Sequence, residues 1–274
     1  MKTTNQLICS FIVLFLLSTP TIYSQEVIER PEYVVVTKMH WNMDLEDFDM
    51  EKWKSVEKDY LDKVTSKNEY IMSASFYMHR FTGDNTELLY VQSYASWDDI
   101  DKASNKNDDL AKAAWSNENA RKAYFKKRNS YYSNDHSDEI LATIPGAKIM
   151  TEKSDKDLVL YIRKSHFAFP EDGTQEEFDK FRKEGLENVI NKNEYLKAYY
   201  PSVHAWGADR TEFTEAFIVE SLGDIEKMFD KDIELRKAKW PDENVRKARG
   251  KKMGKYFTGV HGDYIYTGVA GLSK

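Results

Sequence analysis

The sequence predicts an α+β fold made of two copies of one βαββαβ unit. Three observations support this prediction: an internal repeat, the order of strand-like and helix-like segments in each copy, and a turn-rich charged segment between the copies. The clearest repeat is residues 115–123, which return 125 positions later as residues 240–248. A period of this length is too long for a solenoid unit, so each copy is predicted to be a small domain.

The repeat continues without a gap between residues 33–140 and 158–265, and about a third of the paired positions are identical. The matching motifs are Asn68-Glu69-Tyr70 with Asn193-Glu194-Tyr195, and Asp84-x-Thr86-Glu87 with Asp209-x-Thr211-Glu212. The chain is therefore predicted to contain repeat 1 over residues 25–144, a linker over residues 145–157, and repeat 2 over residues 158–274.

Each copy is predicted to contain the same elements. β-Branched and aromatic runs predict the strands, and apolar residues at helical spacing predict the helices. Asp49 and Thr174 align as helix N-caps, and Thr174 with Glu177 has the pattern of a capping box. The predicted strands are residues 33–41, 71–81, 87–94 and 139–144 in copy one, and residues 158–167, 196–206, 212–220 and 264–269 in copy two.

The second helical region of each copy contains the strongest repeat. Pro241 predicts a fresh helix start inside this region, because proline suits the first turn of a helix and disfavours helix at the residue before it. Arg121 and Arg246 each lie three residues after a glutamate, at Glu118 and Glu243. This spacing predicts an ion pair on the helix surface in both copies.

The first 24 residues are predicted to be a secretory signal peptide. Lys2 precedes an apolar run over residues 7–17 that is too short to span a bilayer, and Ser24 offers a small residue for cleavage. The protein is therefore expected to be exported, to the periplasm or beyond. Cys9, the single cysteine, would leave with this segment, which excludes disulfides, thiolate nucleophiles and cysteine metal ligands from the mature chain.

Charge and hydropathy exclude two classes of partner. The formal net charge is −6, and the lysines and acidic residues are interspersed, as on a solvated surface, which argues against a nucleic-acid partner. No stretch after the signal peptide is long and apolar enough to predict stable membrane insertion. The expected partner is a small-molecule ligand, and self-association through sheet or helix faces is left open.

The order of elements, the length of each copy and the tryptophan-containing second helix together resemble the dimeric α/β-barrel superfamily. Members of this superfamily pack two ferredoxin-like sheets face to face into a barrel. The resemblance implies two tandem ferredoxin-like repeats that form a pseudo-dimeric barrel within one chain, similar to chlorite-dismutase-type members. Such barrels include cofactorless monooxygenases, dehydratases, haem enzymes and binding proteins, so the fold alone does not select a function.

Two strand histidines are the candidate catalytic residues. His79 and His204 match between the copies, and strand alternation predicts that they face the barrel interior. Neutral histidine serves equally as an acid/base group and as a strand-end residue bonded to a backbone carbonyl, and both interpretations stay open. The aromatic residues on the same strand faces are predicted to bind the ligand: Tyr77, Phe81, Tyr200 and Trp206.

Two cations on the first strands are further ligand-binding candidates. Lys38 and Arg163 align in the ungapped repeat, on the strand face of His40 and Ser165. They are predicted either to contact an anionic ligand inside the barrel or to extend along a sheet edge with their charges in water.

Two His-x-Asp segments suggest a metal site, as a weaker alternative to a ligand site without metal. His136-x-Asp138 and His261-x-Asp263 precede the predicted last strands, and residues two apart in extended chain face the same side. Each aspartate could therefore orient its imidazole toward a metal. The competing interpretation is a turn closed by an aspartate hydrogen bond, and it is favoured here.

These observations predict an exported protein that binds a small apolar or aromatic ligand in the barrel cavity, with cofactor-independent catalysis on that ligand left open. No cofactor is predicted. One alternative is a haem- or metal-dependent oxidoreductase with a histidine ligand. The other is a non-enzymatic structural or assembly module. The sequence contains no dinucleotide-binding motif, P-loop, serine nucleophile elbow or zinc-protease motif.

Overall fold

A computed structural model describes residues 30–150 and 154–274 of the chain. The predicted signal peptide and three residues of the predicted linker, 151–153, lie outside these ranges. Within them the chain forms eight β-strands and six α-helices, in the order predicted for two βαββαβ repeats with a divided second helix.

The two repeats have the same succession of elements. Repeat 1 contains β1 Tyr33–Trp41, α1 Met50–Lys63, β2 Ser73–Phe81, β3 Glu87–Tyr94, α2 Trp97–Ala114, α3 Glu118–Asn129 and β4 Tyr132–Thr143. Repeat 2 contains β5 Val159–Phe167, α4 Gln175–Asn188, β6 Ala198–Trp206, β7 Glu212–Val219, α5 Leu222–Lys239, α6 Glu243–Gly254 and β8 Phe257–Ser273.

The eight strands close into one antiparallel barrel in the order β1-β3-β2-β8-β5-β7-β6-β4. Repeat 1 supplies one half of the barrel and repeat 2 the other. The two seams between the repeats are the β2–β8 and β4–β6 pairings. This arrangement confirms the predicted pseudo-dimeric barrel, in which closure leaves no free sheet edge.

Apolar residues on the two faces of the strands form separate cores. One outer core packs the helices of repeat 1 around Trp53 and Leu88, and another packs those of repeat 2 around Leu196 and Met228. A third cluster fills the inside of the barrel, and its buried members are Leu89, Leu160, Ala198, Ile218 and Tyr266. Strand alternation therefore assigns each side chain to the helix-covered face or to the interior.

The helix ends follow the sequence signals. The Asp49 carboxylate accepts from the backbone N–H of Lys52, and the Thr174 hydroxyl accepts from that of Glu177. The capping box is only half formed, because the Glu177 carboxylate accepts a hydrogen bond from the Tyr256 hydroxyl at 2.6 Å instead of turning back to the cap. The break predicted at Pro241 is confirmed by the start of α6 at Glu243.

The predicted pairs of Arg121 with Glu118 and of Arg246 with Glu243 are wrong. Each arginine instead donates to a tryptophan carbonyl at the helix break, with Arg121 on Trp115 at 3.0 Å. The glutamates pair with lysines four residues on, as in Lys122 with Glu118. The arginines therefore satisfy carbonyl groups left free where the helix stops.

The first strands of the two repeats are offset by 126 positions, not by the 125 that the ungapped repeat predicts. The structure superimposes the contacts of His40 on those of His166, which lies 126 positions later: each Nδ1 atom lies 3.2 Å from a threonine hydroxyl in the following hairpin. The loop before the first helix is shorter by one residue in repeat 2. Lys164, not Arg163, is therefore the structural counterpart of Lys38.

The last strand of each repeat is longer than predicted. β4 and β8 begin at Tyr132 and Phe257 and include the polar segments that the sequence suggested were turns. These polar segments pair with β1 and β5. Hydrogen bonding to a neighbouring strand, rather than apolar alternation, makes them strands.

No helix in the described ranges has the length and apolar content needed to cross a membrane.

Candidate functional site

Charged side chains gather at one end of the barrel interior. β1, β2, β5 and β6 run in the same direction, so their carboxyl ends meet at that end. The barrel mouth is defined here as the part of the interior that carries Lys38, Glu87, Lys164, Glu212 and Glu139. Its position follows from the fold, because each Lys–Glu pair lies on neighbouring strands at matching places in the two repeats.

The repeat 1 side of the barrel mouth is built around a buried carboxylate. The Glu87 side chain is only 5% exposed, and one of its oxygens lies 3.2 Å from Lys38 Nζ. The other oxygen accepts a hydrogen bond from the Tyr266 hydroxyl at 2.8 Å. Tyr266 belongs to repeat 2, so this bond crosses a seam of the barrel. The Lys38 side chain is 42% exposed and can be reached from solvent.

The repeat 2 side has a surplus of carboxylates. Lys164 Nζ lies 2.8 Å from Glu212 Oε1 and 2.8 Å from Glu139 Oε2. Glu139 is on β4 of repeat 1, so Lys164 also joins the two repeats. Two carboxylates share one ammonium here, whereas Glu87 has Lys38 to itself.

These contacts favour the charged forms of Glu87 and Lys164. Burial alone would raise the pKa of Glu87, but hydrogen bonds from Thr82 and Tyr266 and the Lys38 ammonium bring its pKa below the ordinary value. Burial alone would lower the pKa of Lys164, but Glu212 and Glu139 raise it above the ordinary value. Groups fixed in this way suit ligand binding better than proton transfer near neutral pH.

The middle of the barrel interior is occupied by side chains. Leu89, Leu160 and Ile218 are almost completely buried there, with Tyr77 packed against them. Burial raises the pKa of Tyr77 to about 12. Packed side chains therefore fill the middle of the barrel interior, where the sequence predicted a ligand cavity.

His79 and His204 lie on the interior face but not together. His79 pairs in register with Tyr266, and its Nδ1 atom lies 2.7 Å from the Thr82 hydroxyl. His204 pairs with Leu141. Three strands separate β2 from β6 in either direction around the barrel, so each histidine belongs to its own side of the barrel mouth and the two do not form one catalytic pair.

Arg163 lies on the helix-covered face of β5, opposite to the face predicted for it. Its Nε atom donates to Asp263 at 3.0 Å, and its guanidinium lies 5.7 Å from the Phe229 ring centroid on α5. The one-residue shift in the repeat is the cause, because alternation turns every second strand residue to the other face. Lys164 takes the interior position that Arg163 was predicted to hold.

The predicted aromatic ligand residues separate into different places. Phe81 and Trp206 end β2 and β6 near the barrel mouth, and they are 58% and 66% exposed. Tyr200 lies further from the barrel mouth, where its hydroxyl accepts from the Met150 backbone N–H at 3.3 Å. Register shifts in the pairings of β2 and β6 put Phe81 opposite Ile265 and Trp206 opposite Ile140, so strict alternation does not carry these two residues onto the interior face that the sequence predicted.

The two His-x-Asp segments lie on the outer face of β4 and β8, on opposite sides of the barrel. His136 Nε2 lies 3.7 Å from Asp138, and His261 Nε2 lies 3.2 Å from Asp263. They are within strands and not in the predicted turns. Asp263 is already bonded to Arg163 and Tyr161. Over the described residues, no three His, Cys, Asp or Glu side chains form a group that could hold a metal.

Solved structures with the same architecture identify the fold. A protein from Fusobacterium nucleatum provisionally named as a monooxygenase matches 86% of this chain and 91% of its own, with 12% identity and a TM-score of 0.50. A similarly named protein from Lactobacillus acidophilus matches 88% and 94%, with 8% identity and a TM-score of 0.51. A variant chlorite dismutase from Candidatus Nitrospira defluvii matches 90% and 96%, with 12% identity and a TM-score of 0.51.

The chain has the dimeric α/β-barrel fold. At these identities the likeness establishes the fold and leaves the activity open. No protein-family model matches the sequence, and no curated protein matches it.

The interior of this dimeric α/β barrel does not fit a haem. A haem needs a broad flat apolar space beside an imidazole that can coordinate iron. The interior that His79 and His204 face carries the Lys38–Glu87 and Lys164–Glu212 pairs, and Leu89, Leu160 and Ile218 fill the middle of the barrel. We therefore assign no step to haem.

Comparing the sequences of the two repeats did not identify most of the barrel-mouth residues. Glu87 and Glu212 were present in the matching Asp-x-Thr-Glu motif, and that match was the one available signal. Lys164 was hidden by the shifted register. Glu139 and Tyr266 have no counterpart of the same type in the other repeat, so the repeat could not indicate them.

Proposed function

We propose that the protein is an exported binding protein for a small aromatic molecule that carries a hydroxyl or amino donor, held at the barrel mouth. The observation that carries this proposal is the surplus carboxylate inside the barrel, where Glu212 and Glu139 share Lys164. Burying charges is costly, and apolar side chains would fill the space at lower cost. A ligand that donates a hydrogen bond would satisfy the surplus acceptor.

The surroundings support the aromatic part of this proposal. Phe81 and Trp206 are exposed aromatic residues at the ends of β2 and β6, the strand ends that meet at the barrel mouth. Exposed aromatic residues beside a small number of fixed polar groups are typical of ligand sites. Lys38 does not favour an anion, because Glu87 already neutralises it.

The proposal can be tested with three fluorescent probes of one size: 2-naphthol, naphthalene and 2-naphthoate. We expect 2-naphthol to bind saturably and the other two at least about tenfold more weakly, because naphthalene has no donor and the carboxylate of 2-naphthoate meets like charge. Glu139→Gln should weaken 2-naphthol binding about tenfold, a loss of about 1.4 kcal/mol.

Asp138→Asn is the matched control for Glu139→Gln. It removes one carboxylate from the adjacent residue of β4, whose side chain faces outward and accepts from Thr37. Equal 2-naphthol affinity in the two variants would contradict the proposed site, and so would equal affinity of the parent protein for all three probes.

A second candidate function is cofactor-independent catalysis on the same ligand, with His79 and His204 as proton acceptors. Two observations favour it: His79 lies beside Tyr266 in the interior, and two proteins of the same fold are provisionally named as monooxygenases. Consumption of oxygen with 2-naphthol as substrate would support this function. His79→Gln and His204→Gln should then abolish turnover but retain binding, and binding without turnover in the parent protein would exclude it for this substrate.

Export is the third part of the proposal and is supported by the pattern of residues 1–24. Expression of the full chain with a C-terminal tag, followed by fractionation and sequencing of the new N-terminus, tests it. A processed protein outside the cytoplasm that begins close to residue 25 is expected. A full-length cytoplasmic product would contradict export.

A further inference from the structure

The helical layer of repeat 2 contains a groove where α4, α5 and α6 meet. It has a volume of about 120 Å³ and adjoins a wider depression of about 350 Å³ along α4 and α6. Its lining includes three apolar or aromatic residues and three arginines: Phe181, Trp240, Met253, Arg236, Arg246 and Arg249.

Repeat 1 fills the same place with aromatic rings. Tyr60 on α1 and Phe125 on α3 meet with their ring centroids 6.2 Å apart, and Phe125 also lies 6.0 Å from the Trp115 ring. Their counterparts, 125 positions later, are Gly185 on α4 and Gly250 on α6. The groove in repeat 2 therefore occupies the space that two aromatic side chains take in repeat 1.

The two glycines have no packing role that would explain them. Glycine inside a helix lowers helix stability relative to alanine and is commonly retained where another backbone approaches closely. A Cβ atom added at Gly185 or at Gly250 would have no atom within 4 Å. Both helices thus lose stability at this point and gain no close contact, and the result is an open groove.

The groove also carries two arginines that have no direct ion-pair partner in the described part of the chain. Arg236 takes the place of Ala111, which is buried in repeat 1, and is itself exposed. Among the described residues, neither Arg236 nor Arg246 has a carboxylate oxygen within 4.0 Å, whereas Arg249 pairs with Glu184 at 2.5 Å. Arg246 is held in place because its Nη1 atom donates to the carbonyl oxygens of Trp240 and Pro241, both at 2.6 Å.

We propose that this groove is a second ligand site, selective for a small aromatic carboxylate. The ring would occupy the space vacated at Gly185 and Gly250, between Phe181 and Met253, and the carboxylate would pair with Arg236 and Arg246. Arginine suits this role because its planar group can donate two parallel hydrogen bonds to a carboxylate. The site is independent of the barrel mouth, which lies inside the sheet and has a surplus of negative charge.

The test uses 4-fluorobenzoate as the probe, with fluorine NMR of the full mature chain as the measurement. Saturable binding is expected for the parent protein. Gly250→Phe supplies the ring that repeat 1 has at this position and should reduce the affinity at least tenfold. Arg236→Gln removes one charge that has no ion-pair partner and should also reduce the affinity for 4-fluorobenzoate at least tenfold. The related alcohol, 4-fluorobenzyl alcohol, lacks the carboxylate. The parent protein should bind it as weakly as Arg236→Gln binds 4-fluorobenzoate.

Gly254→Phe is the matched control, because it adds the same ring to α6 four residues beyond Gly250 and outside the groove lining. It should retain parent affinity, and a thermal melt of each variant verifies folding. Three results would each overturn the proposal: no saturable binding by the parent, unchanged affinity in folded Gly250→Phe, or equal affinity for the acid and the alcohol.

Discussion

Glu87 shows how a single buried carboxylate is stabilised by the opposite half of the molecule. It lies on β3 of repeat 1, but one of its hydrogen bonds comes from Tyr266 on β8 of repeat 2. A carboxylate that is removed from water needs hydrogen-bond donors or a cation to remain ionised. Tyr266 and Lys38 supply both, and they lower the pKa of Glu87 despite its burial.

Tyr266→Phe should therefore lower the free energy of unfolding by about 2 kcal/mol at pH 7, the typical contribution of a hydrogen bond to a charged group. Because the folded-state pKa of Glu87 is below its unfolded value, its contribution is present above about pH 4.3 and is lost as the pH falls through the folded-state pKa. The loss in Tyr266→Phe should accordingly shrink in acid. Urea unfolding of parent and variant at pH 7 and in acid measures this.

Tyr264→Phe is the control for this prediction. Tyr264 lies two residues before Tyr266 on β8 and packs into the same interior, and among the described residues its hydroxyl makes no hydrogen bond. It should change stability little at either pH. An equal loss in the two variants, or a loss in Tyr266→Phe that does not change with pH, would contradict the role given to the Glu87 contact.

At the residue scale, the sequence identified the interior residues that have a residue of the same chemical type 125 positions away in the other repeat. His79 and His204 lie on the interior face that strand alternation predicted for them, and Lys38, for which two interpretations were open, lies on that face as well. Arg163 was misplaced, since the loop that follows β5 is one residue shorter than its counterpart in repeat 1, and this reverses the face predicted for every residue on β5. Tyr266 could not be predicted, because the other repeat has Leu141 at that position.

At the scale of elements, the matching Asn-Glu-Tyr motifs attach a helix to the barrel. The Asn193 side chain is completely buried. Its amide donates to the Met228 carbonyl and to Asp232 on α5, both at 2.8 Å, and its oxygen accepts from the Tyr195 backbone N–H. Asn68 makes the corresponding contacts with α2 in repeat 1. The motif is therefore structural.

Asn193→Ala should lower the free energy of unfolding by about 3 kcal/mol, because it removes a buried amide and takes a hydrogen bond from both the Asp232 carboxylate and the Tyr195 backbone N–H. Denaturant unfolding measures this loss, and Asn244→Ala serves as the control, since Asn244 is an exposed residue in the first turn of α6. A loss below about 1 kcal/mol in Asn193→Ala would mean that water or a rearranged loop replaces the amide.

How well each element could be predicted depends on whether its local sequence or its pairing with another strand forms it. β1 and β3 were bounded correctly, because apolar, aromatic and β-branched residues make up most of each strand. The first halves of β4 and β8 were missed, because their polar residues are strands only through pairing with β1 and β5. Helix starts were predicted well, because Asp49 and Thr174 act within a single turn.

At the scale of the whole molecule, the two repeats are joined by side chains that differ between them. The Lys164–Glu139 and Tyr266–Glu87 contacts each connect one repeat to the other inside the barrel. A barrel made of two identical repeats could not form both, since repeat 1 has Leu141 in place of Tyr266 and repeat 2 has Tyr264 in place of Glu139. The sequence differences therefore favour pairing between unlike repeats.

We expect the separate halves, residues 30–150 and 154–274, to associate with each other in preference to themselves when they are produced together. The unlike pair makes two hydrogen bonds to charged groups, which together contribute about 3 kcal/mol. The ratio of unlike to like pairs, measured by native mass spectrometry, should therefore exceed the statistical ratio more than tenfold. Glu139→Gln in the first half combined with Tyr266→Phe in the second should return the ratio toward the statistical value, because the seams remain and only the two discriminating contacts are weakened. A statistical mixture of the parent halves would show that backbone pairing at β2–β8 and β4–β6 joins the repeats without selecting between them.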